Sequence, residues 1–475
     1  MAAGPRAPCP IRRQAQARPD ALALWTPDRR WAYAELDAAV AATGRRLRER
    51  GWTDGTRVAL RLPRGPSLVV LLWALWREGA VAAPISTRLP DAEVRRATER
   101  LQARCLIARD RGAPTTGGSV EEIEPPESLV VREAVEDSAS TLRPIHRRAT
   151  ILFTSGSTGR PAPVLHSWAN HLYSAKGANA NMPLRAGDRW LLSLPLYHVG
   201  GLAILVRCAL AGAAVAVPGR DVSVSEALGE TGASHLSLVA TQLRRLLDAQ
   251  EEGTPGRVRA VLVGGGPIPS GLLRRGYNQG WPLHTSYGST EMASQITTTP
   301  PGAPLADLQT AGRRLPHRRV RIGERGQILV AGPSLCVGVI EGDAVEDPRV
   351  DGWYPTGDVG HVDAQGRLHV QGRVDRQFVS GGENIQPEEI EAALEQIDDV
   401  ERAVVVAVSH EAYGHRPVAF VRSRGSLRPE AWRQALSASL PKFKLPDAMY
   451  ALPEAAVDDR LKVDHRALRQ RAQEE

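Results

Sequence analysis

The sequence predicts an α/β protein with a smaller α+β region toward its C-terminal end. Three features point there. Helix-like and strand-like segments alternate through the N-terminal part, short strands separated by Gly and Asp turns fill residues 318–371, and a helix–strand–helix pattern returns after Gly372. Residues 34–50 hold Leu36, Val40 and Leu47 at helical spacing, and Gly51 stands where such a helix ends. Residues 57–62 (RVALRL) alternate as a strand does, 67–76 (SLVVLLWALW) form the longest apolar run, and 80–85 read as another strand. That order predicts helices layered on a largely parallel sheet. Residues 111–148, rich in Pro, Gly, Ser and Glu, predict a weakly structured connection, after which strand–loop–helix units resume over 150–299. The segments RRVRIG, GQILVAG and GHVDAQGRLHVQG predict a small antiparallel barrel or sheet, and helices over 387–396 and 429–440 flank a strand at 402–408.

Composition narrows the class. A chain of 475 residues is long enough for about three folding units, and 42% hydrophobic with 24% charged residues suits a globular protein. The 67–76 run is shorter than the ~20 residues that span a bilayer and ends at Arg77 and Glu78, so it predicts a buried helix. The first nineteen residues contain no acid and carry Arg6, Arg12, Arg13 and Arg18, a faint transit-peptide signature. They hold no apolar core of signal-peptide length, so a cytoplasmic protein is expected. Cys9, Cys105, Cys208 and Cys336 form no CxxC pair, which predicts neither a zinc site nor a disulfide framework. The net charge of +7 is spread along the chain without aromatic interleaving, which argues against a nucleic-acid surface. Lysine occurs only at Lys176, Lys442, Lys444 and Lys462. In a chain that otherwise uses arginine, each marks a place where a compact ammonium would matter. No internal repeat is present.

Several glycine-rich turns carry the chemistry. Thr154, Ser155, Gly156, Ser157, Thr158 and Gly159 follow a strand-like segment. Glycines there let backbone N–H groups face an anion, and the hydroxyls add donors; alone, the same string is also an ordinary turn. It is not a GxxxxGK[ST] loop. Gly264, Gly265 and Gly266 end an apolar strand and permit close approach of a flat ligand. In the run Tyr287, Gly288, Ser289, Thr290, Glu291 the tyrosine face suits a purine, and the carboxylate beside a hydroxyl suits Mg²⁺. Asp358, in a Thr-Gly-Asp turn, suits ribose hydroxyls. Gly372-Arg373-Val374-Asp375, then Ser380 to Ile385 (SGGENI), then Leu461-Lys462-Val463-Asp464 complete the series.

In this order these motifs resemble the adenylate-forming superfamily of acyl-CoA synthetases, peptide-synthetase adenylation domains and luciferases. The resemblance covers nearly the whole chain. It implies a large N-terminal domain over 1–374, with α/β subdomains over 1–147 and 148–305 and a small β-barrel over 306–374. A small mobile α+β domain over 375–475 follows. It also implies activation of a carboxylic acid by ATP with Mg²⁺, then transfer to a thiol. The loop from Thr154 to Gly159 would embrace the phosphates, Gly264 to Gly266 and Tyr287 would frame adenine, and Thr290 and Glu291 would serve the α-phosphate and the metal. Asp358 and Arg373 would hold the ribose, Asp375 would be the hinge, and Gly381 and Gly382 would line the thiol approach. Lys462 would bridge the acyl carboxylate and the α-phosphate. The chemistry needs such cations and oriented donors, because an anion attacks a polyphosphate. The chain departs from the family pattern at Ala162 and Pro163, where Lys-Gly is usual, and at Leu461, where glycine is usual.

The segments SLPLYHVGGL with ILVR (193–207), SHLSLVATQL (234–243) and SYGSTEMASQIT (286–297) look like the o-succinylbenzoate–CoA ligases of menaquinone biosynthesis. That resemblance implies 2-succinylbenzoate as the acid and coenzyme A as the acceptor. The acid keeps a second carboxylate, so its pocket should be polar or cationic. His198, Arg207, Ser294, Gln295 and Thr297 are the candidates, His198 also as a catalytic one. Arg207 reads equally as half of a structural ion pair, and His198 as a packed gate residue. The alternatives are a different aryl- or acyl-CoA ligase, or a nucleotide-binding homologue weakened at Ala162, Pro163 and Leu461. The sequence is compatible with a homo-oligomer and marks no surface for one.

Overall fold

The computed structural model describes residues 5–108, 121–123, 142–154, 161–250, 256–453 and 463–474. They divide into two compact units, one of Met1–Pro267, Arg275–Val320 and Val330–Tyr354, the other of Ile268–Arg274, Arg321–Leu329 and Pro355–Glu475.

The larger unit holds two sheets with parallel centres and antiparallel edges. In the eight-stranded sheet, Arg148–Phe153, Val81–Pro84, Arg57–Arg61, Cys105–Ala108 and Glu121–Ile123 are parallel neighbours in that order. Pro163–Ser167, Gly338–Glu341 and Ala344–Glu346 extend it antiparallel. The nine-stranded sheet runs parallel from Leu22–Trp25 through Ala214–Ala216, Arg189–Leu191, His235–Leu238 and Ala260–Val263 to Leu283–Ser289. Arg30–Ala32 closes one side, and Ser294–Thr298 with Arg313–Arg314 the other, all antiparallel. Central strands such as Ala260–Val263 are apolar at every position and buried throughout, because helices cover both faces of a parallel sheet. One core cluster joins Leu60 and Leu152 of the first sheet to Trp190 and Leu262 of the second through Leu71, Trp76, Trp168 and Ile204. Those four belong to the helices Pro66–Glu78, Trp168–Asn181 and Val199–Ala211.

The apolar run at 67–76 is the helix Pro66–Glu78, begun by proline in its first turn and stopped by Gly79 at φ 90°. The helix expected at 34–50 is Tyr33–Glu49, and Gly51 follows at φ 72°. Elsewhere the structure differs from the expectation. Much of 111–148 lies outside the described residues, yet Glu121–Ile123 is an edge strand and Leu142–Pro144 pairs with Arg6–Pro8. These pieces have no apolar pattern of their own; their pairing is supplied by the neighbouring backbone. The arginine-bearing N-terminal stretch is built into the fold, since helix Pro10–Ala17 buries Ile11 and Gln14 Nε2 donates to the Ala209 carbonyl at 3.2 Å. Residues after Thr150 open with a hairpin, not a strand–loop–helix unit. Arg148–Phe153 pairs with Pro163–Ser167, whose residues are all buried, before the helix begins.

In the smaller unit, most of a four-stranded sheet comes from Arg319–Ile322, Gln327–Ala331, Tyr354–Val362 and Leu368–Arg373. A second sheet is built on the hairpin Val400–His410 and Gly414–Ser423, with Phe378–Ser380, Glu383–Ile385 and Ala448–Ala451. Val405, Ala419 and Trp432 share one core, and Val404, Val406, Phe420 and Leu468 another. Both faces of the hairpin are therefore covered, which explains why 403–408 (AVVVAV) does not alternate. No helix among the described residues is long and apolar enough to cross a membrane.

Histidines are buried at the centre of the larger unit. Trp73, Trp76 and Trp168 meet edge to face or tilted at 5.2–5.8 Å. His171 joins them through Thr150 Oγ1, which lies 3.0 Å from His171 Nε2 and accepts from Trp76 Nε1 at 3.1 Å. Burial pushes the His166 imidazole down to about 4, and His235 likewise to about 4. The unfolded chain binds a proton at each near pH 6.5, while the folded chain does so only near pH 4. As pH falls the unfolded state therefore takes up protons first. Between about pH 6.5 and pH 4 stability should drop by about 1.4 kcal/mol per pH unit for each of these two histidines. Denaturant midpoints followed by tryptophan fluorescence from pH 7 to pH 5 check this, and a pH-independent midpoint contradicts it.

Candidate functional site

In the nine-stranded sheet the glycine-rich motifs gather at the carboxyl ends of neighbouring parallel strands. An open parallel sheet binds ligands there, where the backbone turns away into crossover connections. Gly264 to Gly266 follow Ala260–Val263, and Tyr287 lies in the last part of Leu283–Ser289. A Cβ on Gly264 would stand 2.8 Å from Ser286 Oγ of the adjacent strand, and Gly265 sits at φ 87°. Gln242 ties two further strand ends together. Its Oε1 accepts from Val239 N at 3.1 Å, and its Nε2 donates to the Ser193 carbonyl at 3.1 Å.

Beyond Tyr287 the chain doubles back, and Gly288 makes this possible, since a side chain there would overlap the Ser294 carbonyl. The turn is held by its own backbone. Ala293 N donates to the Thr290 carbonyl at 3.0 Å, and Cys336 N donates to the Glu291 carbonyl at 2.7 Å. The Thr290 carbonyl also accepts from His166 Nε2 at 2.7 Å. With its pKa near 4, His166 is neutral at pH 7 and carries its proton on that nitrogen. Thr290 and Glu291 are half-buried. Burial, and then the Glu291 carboxylate, push the Cys336 thiol up to about 12.

The turn continues into Ala293 at φ 52° and Ser294 at φ 117°, two consecutive L-residues in the left-handed region. Each costs about 1–3 kcal/mol and persists only where neighbours impose it. Ser174 Oγ donates to the Ala293 carbonyl at 2.6 Å, and Arg207 Nη2 donates to Ser294 Oγ at 3.1 Å. Arg207 comes from Val199–Ala211, an otherwise apolar helix, and is only 1% exposed. Its guanidinium carbon lies 5.3 Å from the Trp190 ring centre. Nε and Nη1 have no hydrogen-bond partner, and no carboxylate among the described residues forms an ion pair with it. Burial lowers its pKa to about 10, so it stays cationic at pH 7. A buried cation with open donors is a site for an anion.

The other substrate candidates take different positions. His198 stands exposed at the N-cap of the same helix, its ring against Tyr197 at 4.7 Å. The Thr297 hydroxyl donates to the Ala311 carbonyl at 2.6 Å, and Gln295 Nε2 donates to Thr298 Oγ1 at 2.7 Å. Of the five, the structure brings Arg207 and Ser294 together. Sequence reasoning missed His166, Gln242 and Arg318. A fully buried histidine or arginine has no signature until its surroundings are known.

In the smaller unit Asp358 and Arg373 are directly opposite in the antiparallel pair, with Arg373 Nη1 donating to Asp358 Oδ1 at 3.2 Å. Gly357 at φ 76° brings the turn close to the guanidinium. Arg373 Nε also donates to Asp375 Oδ1 at 2.9 Å. Gly381 at φ 58° and Gly382 at φ 91° form the two-residue turn between Ser380 and Glu383, a mirror-image turn that requires positive φ at both positions.

Ser155, Gly156, Ser157, Thr158 and Gly159 lie outside the described residues, as do Leu461 and Lys462. Thr154 and Ala162 close the neck of that loop. Thr154 N donates to the Ala162 carbonyl at 2.9 Å, and Ala162 N donates to Thr154 Oγ1 at 3.3 Å. Pro163 begins the following strand opposite Phe153.

Similarity to known proteins extends over most of the chain. Residues 11–339 match the AMP-binding enzyme family, and residues 389–457 match the AMP-binding enzyme C-terminal domain. A 2-succinylbenzoate–CoA ligase of Bacillus cytotoxicus is 33% identical, over 96% of this chain and 97% of that protein. The o-succinylbenzoate CoA synthetase of Bacillus subtilis, solved with its acyl-adenylate intermediate, superposes with a TM-score of 0.88 at 28% identity, covering 98% of each chain. The same enzyme has been solved with ATP and magnesium, with a TM-score of 0.87 at 28% identity, covering 98% of this chain and 100% of that one. With strand-end glycines, a braced Thr-Glu turn and an Asp–Arg strand pair in place, and a family match over most of its length, the chain belongs to the AMP-binding enzyme family.

Proposed function

We propose that this chain is a 2-succinylbenzoate–CoA ligase. It joins the succinyl carboxylate to AMP with release of pyrophosphate, then passes the acyl group to the thiol of coenzyme A. The observation that carries the substrate is Arg207, buried beside Ser294 with two guanidinium nitrogens open and no acid paired to it. 2-Succinylbenzoate has a second carboxylate, on the ring, that survives the reaction and suits such a cation. A fatty acyl chain would leave it unpaired in an apolar site, at a cost of several kcal/mol. Relatives that carry this activity by name align over almost their entire length, which supports the same reading.

In the first half-reaction a succinyl carboxylate oxygen attacks the α-phosphorus and the bond to pyrophosphate breaks. Gly264 to Gly266 and Tyr287 frame the adenine, and Asp358 and Arg373 hold the ribose. By the family resemblance, the loop from Thr154 to Gly159 would supply donors to the phosphates, and Lys462 would bridge the attacking carboxylate and the α-phosphate. The half-buried Glu291 carboxylate beside the Thr290 hydroxyl is an oxygen set that suits Mg²⁺, and magnesium held there would neutralise the departing pyrophosphate. In the second half-reaction the thiol sulfur attacks the acyl carbon and AMP leaves. Gly381 and Gly382 line the approach after rotation about Asp375. Cys9, Cys105, Cys208 and Cys336 form no disulfide with one another, which fits a reducing, cytoplasmic setting.

Arg207→Met should lower kcat/KM for 2-succinylbenzoate by about 30-fold or more, since truncating one partner of a buried charge pair costs about 2–5 kcal/mol. Turnover at the parental rate would remove the substrate assignment. Lys462→Ala should slow pyrophosphate release from ATP and acid by about 100-fold or more, read in a single-turnover assay; a parental burst would take the role from that lysine. Asp375→Pro fixes φ at the hinge. Adenylate should still form while thioester formation fails, and equal damage to both steps would contradict the hinge.

A further inference from the structure

A second arginine, Arg318, is buried near enough to Arg207 to feel its charge and also lacks an acidic partner among the described residues. It is 1% exposed, and its guanidinium makes five hydrogen bonds, none to a carboxylate. Nε donates to the Gln295 carbonyl at 2.9 Å, Nη1 to the carbonyls of Tyr173 and Pro316 at 3.2 and 2.8 Å, and Nη2 to the carbonyl and hydroxyl of Ser174 at 2.9 and 3.1 Å. Gln295 directly follows Ser294, the residue bonded to Arg207. Ser174, which receives Nη2, is also the residue that holds the Ala293 carbonyl. Arg318 therefore clamps both sides of the left-handed Ala293–Ser294 pair onto the helix Trp168–Asn181.

The helix makes room for it. Gly177 lies in the interior of that helix, where glycine is less favourable than alanine, and a side chain there would overlap Arg318 Nη1 and the Pro316 carbonyl. Two arginines buried close together with no anion repel each other; burial first, and then Arg207, lower the Arg318 pKa to about 9. A methionine or leucine would fill the same space without that repulsion. The arrangement makes sense if an anion completes it.

We propose that Arg318 is a positioning residue for substrate specificity: it fixes Ser294 and adds a second buried positive charge behind Arg207, so that the pocket selects an acid bearing a second carboxylate. This rests on the reading of Arg207 given above. Arg318 does not touch the substrate, because its donors are all engaged by protein. Its contribution is geometric, through Ser294 and Gln295, and electrostatic, through the field at the open nitrogens of Arg207.

The test compares kcat/KM for 2-succinylbenzoate and for 4-oxo-4-phenylbutanoate, the same acid without the ring carboxylate, in the full-length parent, Arg207→Met and Arg318→Met. Arg318→Met should lower the preference for the dicarboxylate about tenfold, the size expected for loss of charge-assisted bonds. Proportional loss on both acids would make Arg318 a structural residue only and overturn the proposal, while a collapsed preference in Arg207→Met would leave the Arg207 reading standing. An unaltered preference in Arg207→Met would remove the anion pocket and this proposal with it. Should Arg318→Met not accumulate as folded protein, Ser174→Ala carries the test. It keeps both arginines but releases the Ala293 carbonyl, and should lower the preference about threefold; an unaltered preference there overturns the proposal.

Discussion

Two adjacent L-residues, Ala293 and Ser294, are held in backbone conformations that favour glycine, and the placement of the larger unit's functional groups follows from holding them there. Released, this stretch would relax toward the extended geometry of its strand, and Ser294 Oγ would leave Arg207. Restraint comes from three directions. Gly288 lets the preceding strand approach, Ser174 of the helix Trp168–Asn181 and Arg318 bonded to it grip the pair, and His166 fixes the Thr290 carbonyl at the start of the turn. Thr290 and Glu291, proposed to serve the nucleotide, and Ser294, proposed to face the acid, thus belong to one braced element. Strain of this kind is tolerated where it orients groups that a relaxed chain would not.

An arginine paired with acids elsewhere in the chain gives the contrast. In the smaller unit Arg376 donates to Glu388 and Glu391, both at 2.6 Å, and the two carboxylates outweigh burial and raise its pKa. Near the Ser294 turn the opposite holds. Arg207 and Arg318 have no such partner, and burial lowers both. A pocket that keeps its positive charge uncompensated attracts an anion and penalises an uncharged occupant.

Much of the architecture is legible in the sequence, because it rests on periodicity and chain reversal. The apolar run ending at Gly79, the helix before Gly51 and the strand before Gly264 follow from patterns that local chemistry enforces. What the sequence hid depends on long-range contact. The hairpin around Thr154 to Ala162 looked like a strand–loop–helix unit because 163–167 (PVLHS) is too short to declare itself. Arg207 reads in the sequence equally as half of an ion pair and as a substrate contact, and residues far along the chain decide whether an acid faces it. Arg318 lies among arginines in a segment that reads as short strand, and nothing in the local sequence singles out Gly177; each explains the other only once packed. Gln295 and Thr297 read in the sequence as substrate candidates, and only the fold shows that Gln295 Nε2 donates to Thr298 Oγ1 and the Thr297 hydroxyl to the Ala311 carbonyl.

In the smaller unit, one arginine touches two residues for which different duties are proposed. Arg373 bonds to Asp358, assigned to the ribose, and to Asp375, assigned to the hinge. Both pairs are partly exposed, Arg373 by 38% and Asp375 by 46%, and exposed pairs of this kind contribute about 0–1 kcal/mol. Weak pairs suit a group that must exchange partners. Ribose hydroxyls bonding to Asp358 would draw on the same carboxylate that Arg373 uses, and rotation of the backbone at Asp375 would carry the second carboxylate away from Arg373. A buried, bidentate pair like that of Arg376 would resist such exchange. The two assignments are therefore physically linked, because whichever carboxylate is withdrawn first changes what Arg373 offers to the other.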